Sequence, residues 1–588
     1  MKIYTSKKTS PDRRLSVLNA AIKGTLLSAT FILAAPVSAL TEIITDTEIG
    51  PGAPADEEYS IKKGATLIGK GSVSAGIEVG TNGLRDGNGH LRLSDNAIVN
   101  GDIHGYNTTT INIDGSVVNG NITAFDRSEL HLSNSTINGS IVLTAGSNGS
   151  ASNVTAGYIT ARESGWQVTN SRFDNTAGAA RGAGAELARS SMTFTGSHIR
   201  GVMGALMFNG VLSVSPIRHA LSLDSTLIES TTGAVFQVGG FHSGTDVYGN
   251  FDISMTNNSY ARSDSGVLMN VEYHSDATLS LDASHAEGNI LVDDTSKANI
   301  ALNNGSSLQG DITAESGGSA TVTLANGSSL QGDITAESGG SAALSLTKGS
   351  TLRGKLTNVE SLSLSSKSQY EMTQDASIAS LVMSNSSVSF GAPMSGAFRT
   401  LTLGELDGYG DFFMRADIAG QAGDFLNVTG DANGYYVLHV ANTGGEPTLT
   451  DNVLGLVRTG GGAANFMLNG GKVDIGAWQY LLVKNGNEWG LGQTGIPIDP
   501  IDPIDPIDPI DPVNPPTPST SASTDALLNM ASANKFMFFA ELDSIGGRLN
   551  ADTHAHSSGV WGNYLHNNQR VQGSWNSAYE LQQNGFIV

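Results

Sequence analysis

The 588-residue chain contains no cysteine. That single absence removes disulfide bonds, thiolate nucleophiles and cysteine-ligated zinc. Charged residues are scarce at 15%, against about 25% in ordinary globular chains. Aromatics make up only 6%, so any core must be thin and aliphatic. Basic residues are in deficit, 32 Lys and Arg against 55 Asp and Glu, for a net charge of −23. With no basic run interleaved with aromatics, nucleic acid is excluded as a partner. No apolar run reaches the roughly 20 residues that a membrane-spanning helix needs. Glycine, by contrast, is abundant at 72 residues.

Those glycines carry a repeat. The block Gly305–Ala320 recurs letter for letter at Gly327–Ala342, an offset of 22 residues. Written as Ser-x-Φ-x-Gly-x-Φ, with Φ apolar, the pattern is marked by Gly101, Gly120 and Gly139, spaced by 19, then Gly201, then Gly288, Gly310, Gly332 and Gly354, spaced by 22. The gaps around Gly201, 62 and 87 residues, leave room for about three and about four coils. Two residues before the marks stand Val99, Val118, Ile137, Ile199, Ala286, Leu308, Leu330 and Leu352. Two after them stand Ile103, Ile122, Ile141, Met203, Ile290, Ile312, Ile334 and Leu356. Ser lies four before the glycine in seven of the eight, Ala97 being the exception, and a further Φ-x-Φ pair such as Ile111/Ile113 or Leu344/Leu346 lies upstream. Each repeat reads strand, Asn/Gly/Ser turn, strand, with period-two alternation. Coils of about 20 residues stack their strands directly on one another, which predicts an all-β parallel β-helix, taken as right-handed.

The N-terminus is of a different kind. Lys2, Lys7, Lys8, Arg13, Arg14 and Lys23 precede the apolar stretch Gly24–Ala35, and Val37-Ser38-Ala39 forms a small-residue cleavage site before Leu40. Residues 1–39 read as a bacterial secretory signal cut between Ala39 and Leu40. In an exported chain, the missing cysteines avoid crosslinks that would lock the polypeptide before it crosses a membrane.

After about residue 400 the marks stop and aromatics appear. A solenoid needs a cap over its last coil. The stretch from Gly423-Asp424-Phe425-Leu426-Asn427-Val428 through Phe466-Met467-Leu468 and Ala477-Trp478-Gln479-Tyr480 to Trp489 resembles the C-terminal passenger segment of pertactin-like autotransporters, which caps the β-helix and promotes its folding as an autochaperone. Next come Ile-Asp-Pro repeats from Ile498 to Pro512, an extended spacer. A helix capped by Thr524/Asp525 follows, with the apolar seam Leu528, Ala531, Phe538, Leu542, Ile545 and Leu549, fraying at Gly546-Gly547. It resembles the helix that threads the autotransporter pore. Gly559–Leu565 and Ala578–Val588 resemble the first two strands of the family's outer-membrane barrel, which needs closed pairing.

The resemblance to type V autotransporters of the pertactin and diffuse-adherence-adhesin kind thus divides the chain into a signal peptide (1–39), β-helical passenger (40–399), autochaperone junction (400–492), Pro-rich linker (493–522), pore helix (523–556) and the start of a barrel (557–588), as a fragment or a truncated translocator. It implies an extracellular passenger at the cell outer membrane. The implied partners are a host or bacterial surface, protein or glycan, and the chain itself. An outer-membrane translocator barrel, with periplasmic chaperones and barrel-assembly machinery, is implied for export.

Catalytic constellations are weak. Ser263-Asp264-Ser265-Gly266 resembles the Asp-Ser-Gly of serine-protease autotransporters but lacks the preceding glycine, and a triad needs a separate domain to place its His and Asp; it reads as a turn. Asp311 and Asp333 recur at one repeat position, which suits solvated turns better than the clustered carboxylates of a glycan-cleaving β-helix. His554-x-His556 has no flanking ligands. Gln309-Gly310-Asp311 and Asn100-Gly101-Asp102 lack the guanidinium of an Arg-Gly-Asp motif. No catalytic, cofactor or metal residue is therefore expected. Adhesion or self-association is the expected function, with a secreted enzyme or an inert spacer as rivals.

Overall fold

The computed structural model describes residues 40–81, 88–179, 181–208, 218–239, 249–337, 339–392, 396–493, 518–551 and 560–588. The signal at 1–39, including Ala39, the Ile-Asp-Pro run and His554/His556 lie outside the described residues.

A representative coil consists of Thr110–Asp114, Val117–Val118 and Ile122–Ala124. Each of these strands pairs in parallel with its counterpart one coil later, Ile111 with Leu130, Val118 with Ile137 and Ile122 with Ile141. The coil therefore has three strands where the sequence pattern suggested two. The marker glycine is a corner that breaks the expected second strand in half. Stacking continues for about 17 turns, a rod on the order of 80 Å at about 4.8 Å per step. One continuous apolar interior fills it, from Ile43 to Leu491.

Coil length explains the irregular stretch around Gly201. Three steps span the first gap, Ile137 to Ala156 to Phe173 to Ile199. The second gap also holds three steps, not about four, because its coils are longer, running from Ile199 to Ile228, from there to Ala261 and on to Ala286. Met203 departs from the pattern as well. It sits outside the main interior, packed on a small second cluster of Ala183, Ala188, Leu206 and Phe208, while Ala205 faces inward.

Two polar columns shape the corners. Asn134, Asn153, Asn170, Asn304 and Asn326 have φ between 47° and 55°, a left-handed conformation that Asn tolerates. Their amides bond from coil to coil: Asn153 Nδ2 donates to Asn134 Oδ1 at 3.0 Å, and Asn134 Nδ2 to Asp114 Oδ1 at 3.0 Å. The adjacent serines Ser116, Ser135, Ser284, Ser306, Ser328 and Ser350 are buried. Their backbone N–H groups and hydroxyls satisfy one another and nearby carbonyls, as in Ser284 N to Ser306 Oγ at 3.1 Å and Ser328 Oγ to Ala325 O at 2.7 Å, so the corners carry little unsatisfied polarity.

The marker glycines are steric. A Cβ on Gly120 would lie 2.4 Å from Gly101 O, on Gly139 2.5 Å from Gly120 O, and on Gly310, Gly332 and Gly354 between 1.9 and 2.1 Å from the glycine carbonyl of the preceding coil. Gly101 and Gly201 meet the carbonyls of Ala75 and Gly182 in the same way, and Gly288 meets Leu268 N. Backbone cannot yield as a flexible side chain can. Gly332→Val is accordingly expected to cost about 3 kcal/mol in chemical denaturation, whereas Gly445→Ala, where nothing lies within 4 Å, should leave the transition in place.

Parallel stacking does not end at residue 400. Thr400–Asp417, Phe425–Asp431, Tyr435–Asn442 and Asn465–Leu468 extend the coils, with a short antiparallel turn of Ala422–Gly423 onto Ala416–Asp417 between the first two, and longer antiparallel strands then close the end. Trp478–Asn485 pairs with Glu488–Gly492, which pairs with Leu454–Gly461. An interior column of rings climbs into this cap, with centroids 5.7 Å apart for Phe412–Tyr436, 5.3 Å for Tyr436–Phe466 and 4.9 Å for Phe466–Trp489.

Beyond it, the helix Ala522–Ala551 runs through Gly546-Gly547 without fraying there. Its expected seam is not buried: Phe538 is 59% and Leu549 70% exposed. Asn563–Gln572 and Ala578–Ile587 form an antiparallel hairpin, the first strand beginning later than the sequence suggested. The turn residue Trp575 meets Trp478 edge-on at 5.6 Å.

Candidate functional surface

A solenoid places function on its outer ladders, because side chains alternate in and out along every strand. Elsewhere on the second sheet the outward positions are mixed: Ile98 and Val117, Thr136 and Thr155, Ser307 with Gln309 and Ser329 with Gln331, then the charged Arg353 and Glu371. Between residues 172 and 287 one column carries charge in every coil. The column Asp174, Arg200, Glu229, Arg262, Glu287 occupies paired positions in successive coils, so signs alternate along the axis.

Glu229 is its centre. Arg262 Nη2 donates to Oε1 at 2.5 Å, and His198 Nε2 lies 2.7 Å from Oε2. Burial pushes the Glu229 carboxyl up, but the bonds and charges of His198 and Arg262 outweigh it and hold it below its usual range. Tyr260, alongside, is pushed up to about 12 by burial and by its bond to Glu287. Arg172 reaches both His198 Nδ1 at 2.5 Å and Asp174 at 2.9 Å. This is a mutually neutralised ladder. Sequence reasoning missed it because its members lie in long coils of unequal length, only some of which carry a marker glycine.

The motifs weighed for chemistry take structural places. Ser263–Gly266 lies within the strand Tyr260–Val271 at a register shift, not in a turn. Ser265 Oγ donates to Gly233 O at 2.9 Å and lies 2.8 Å from Ser263 Oγ, and Asp264 faces Arg200 at 3.8 Å. Asp311 Oδ1 accepts Asp333 N at 2.8 Å, and Asp333 Oδ1 accepts Lys355 N at 2.7 Å. These carboxylates tie coil to coil. Among the described residues no group of three His, Asp or Glu is placed to hold a metal ion, and no helix is long and apolar enough to cross a membrane.

His219 is a further residue the repeat did not reveal. It is buried, its ring stacks on Phe251 at 4.6 Å, and its Nδ1 accepts Arg189 N at 2.9 Å, in the corner where the neighbouring coil uses Ser190 to accept Ser164 N. Burial, and secondarily the Arg189 charge, lower its pKa from 6.5 to about 4. The folded ring stays neutral where the unfolded chain binds a proton. Its stabilisation is therefore complete above about pH 6.5, is lost as pH falls from 6.5 to about 4, and changes no further below that, by about 3 kcal/mol in all. Thermal unfolding across that window should show the loss, and His219→Phe should remove this component.

Comparison with known proteins bears on the junction first. Residues 378–493 match the Pertactin family model. The chain is 37% identical over 238 residues to the autotransporter CRAC of Citrobacter rodentium, covering 39% of this chain and 15% of that protein. It is 39% identical over 256 residues to the autotransporter adhesin/invasin TibA of Escherichia coli O78:H11, covering 37% and 26%. An immunoglobulin A1 protease autotransporter of Haemophilus influenzae is 31% identical over 133 residues, 21% of this chain and 8% of that one. The chain thus spans about a quarter or less of the length of these relatives. The capped parallel solenoid and these matches make the chain similar to pertactin-like autotransporters, with the family match itself falling on residues 378–493.

Proposed function

We propose that the solenoid is an adhesive passenger that contacts a host or bacterial surface, protein or glycan, and binds further copies of itself, without catalysis. The observation that carries this reading is the character of the outer ladders: amide, hydroxyl and paired charge repeat from coil to coil, and the Ser, Asp and His residues that chemistry would need are engaged in holding coils together. The likeness to TibA, named an adhesin/invasin, supports it. In the same reading residues 1–39 are the export signal, 40–399 the passenger, 400–492 an autochaperone junction, and 493–522, 523–556 and 557–588 the linker, pore helix and first barrel strands. Periplasmic chaperones and barrel-assembly machinery then serve its export.

The test is display of residues 40–493 on an intact translocator in a non-adherent, non-clumping strain. Surface binding or aggregation is the expected outcome. A protease assay on immunoglobulin and a glycan-cleavage assay run alongside it, and turnover abolished by Ser265→Ala would replace the adhesive reading with an enzymatic one.

A further inference from the structure

The junction carries a groove of about 590 Å³ on the outside of the second sheet, further along the ladder that holds the Asp174–Glu287 column. Its floor is one outward column across four successive coils, Glu371, Ser389, Phe413 and His439, with Asn469 of the following turn at its end. The column is uneven. Phe413 stacks on His439 at 4.4 Å with rings 20° from parallel, and Asp411 Oδ1 fixes His439 at 2.8 Å. On its other side the next rung is the small Ser389, so Phe413 remains 41% exposed. Beyond Ser389 stands Glu371, held by Arg353 at 3.2 Å. From Phe413 to Glu371 is two rungs, about 9.6 Å, which leaves room for one ring between an aromatic face and a carboxylate. Gln369 and Lys472 line the sides.

We infer that this groove binds a saccharide, one pyranose ring stacking its C–H face on Phe413 above Ser389 with its hydroxyls bonded to Glu371, Gln369 and Lys472. An aromatic platform edged by a few convergent polar groups is what such a ligand requires. The mixed charges of the rim, Glu371 and Asp474 against Lys472, suit a neutral sugar better than a polyanion. The inference rests on the adhesive reading and narrows it to one site and one ligand class.

The full chain is tested by calorimetry and on an array against cellohexaose, mannohexaose, a galacto-oligosaccharide and a heparin oligosaccharide, with Trp-containing peptides as the competing occupant. Binding of at least one neutral oligosaccharide is expected. Phe413→Ala and the gap-filling Ser389→Phe should each weaken it at least tenfold, with thermal unfolding unchanged to show that both variants fold. Binding of no oligosaccharide, binding of heparin or peptide alone, or binding indifferent to both variants would overturn the inference. Cells displaying the Phe413→Ala passenger separate the two readings: undiminished adhesion removes this site and leaves the adhesive reading standing, while wild-type cells that neither adhere nor clump remove the adhesive reading whatever the purified chain binds.

Discussion

Asp424→Ala is expected to destabilise the junction by about 3–5 kcal/mol, seen as a shifted denaturation midpoint and as protease sensitivity spreading from residues 400–493. Asp424 is fully buried and the Arg415 side chain is 3% exposed. The carboxylate accepts Arg415 Nη2 at 2.7 Å, Nε at 2.9 Å and its backbone N at 2.7 Å, and also Arg399 N at 2.8 Å. Removing it leaves a guanidinium inside the protein with its principal acceptor gone. The expectation fails if Asp424→Ala and the wild-type chain unfold at the same denaturant concentration. Replacing both partners by apolar residues should cost much less than either single change, because it is the orphaned charge that is expensive.

Leu330→Asp should cost several kcal/mol. Leu330 is 1% exposed and pairs with Leu308 and Leu352 in the coils on either side, both equally buried. The column is aliphatic from Ala261 to Leu352, and the first polar side chain along it, Tyr370, lies two coils on with its hydroxyl bonded to Gly354 O, so an aspartate at 330 finds no partner and no water. Each coil contacts only its neighbours, so damage should begin around residues 308–352, where limited proteolysis would read it. Ser328→Ala, two residues away, removes one hydroxyl bond to Ala325 O and should cost about 1 kcal/mol. Equal protease resistance in Leu330→Asp and wild type would contradict the stacking itself.

The coils with marks were legible because their physics is local and repeated. A glycine is needed wherever the chain passes under the preceding carbonyl, an Asn where φ is positive, and a serine where a corner buries an N–H. Those demands recur once per coil, and where successive coils are equal in length they print themselves on the sequence at a fixed spacing. Longer coils of unequal length carry the same fold without the print, which is why the 87 residues after Gly201 suggest about four coils where the chain makes three. The third strand escapes the pattern for a related reason: Leu330 and Ile334 both point inward, and alternation alone does not say that the chain turns between them. The seam of the helix Ala522–Ala551 shows the opposite limit, since apolar spacing marks a face without saying what covers it.

The sequence by itself determined the parallel solenoid, its apolar interior and its glycine corners, because each follows from contacts between residues one coil apart; the likeness of the C-terminal cap to pertactin was legible separately, in the resemblance of residues 423–489. Only the tertiary structure decided which outward side chains meet. The Asp174–Glu287 charge column, the Phe413 groove and the buried His219 depend on coil lengths that vary along the rod, from the short step between Ala156 and Phe173 to the long one between Ile228 and Ala261. A change of one residue in any coil moves an outward side chain to a different neighbour or to the interior.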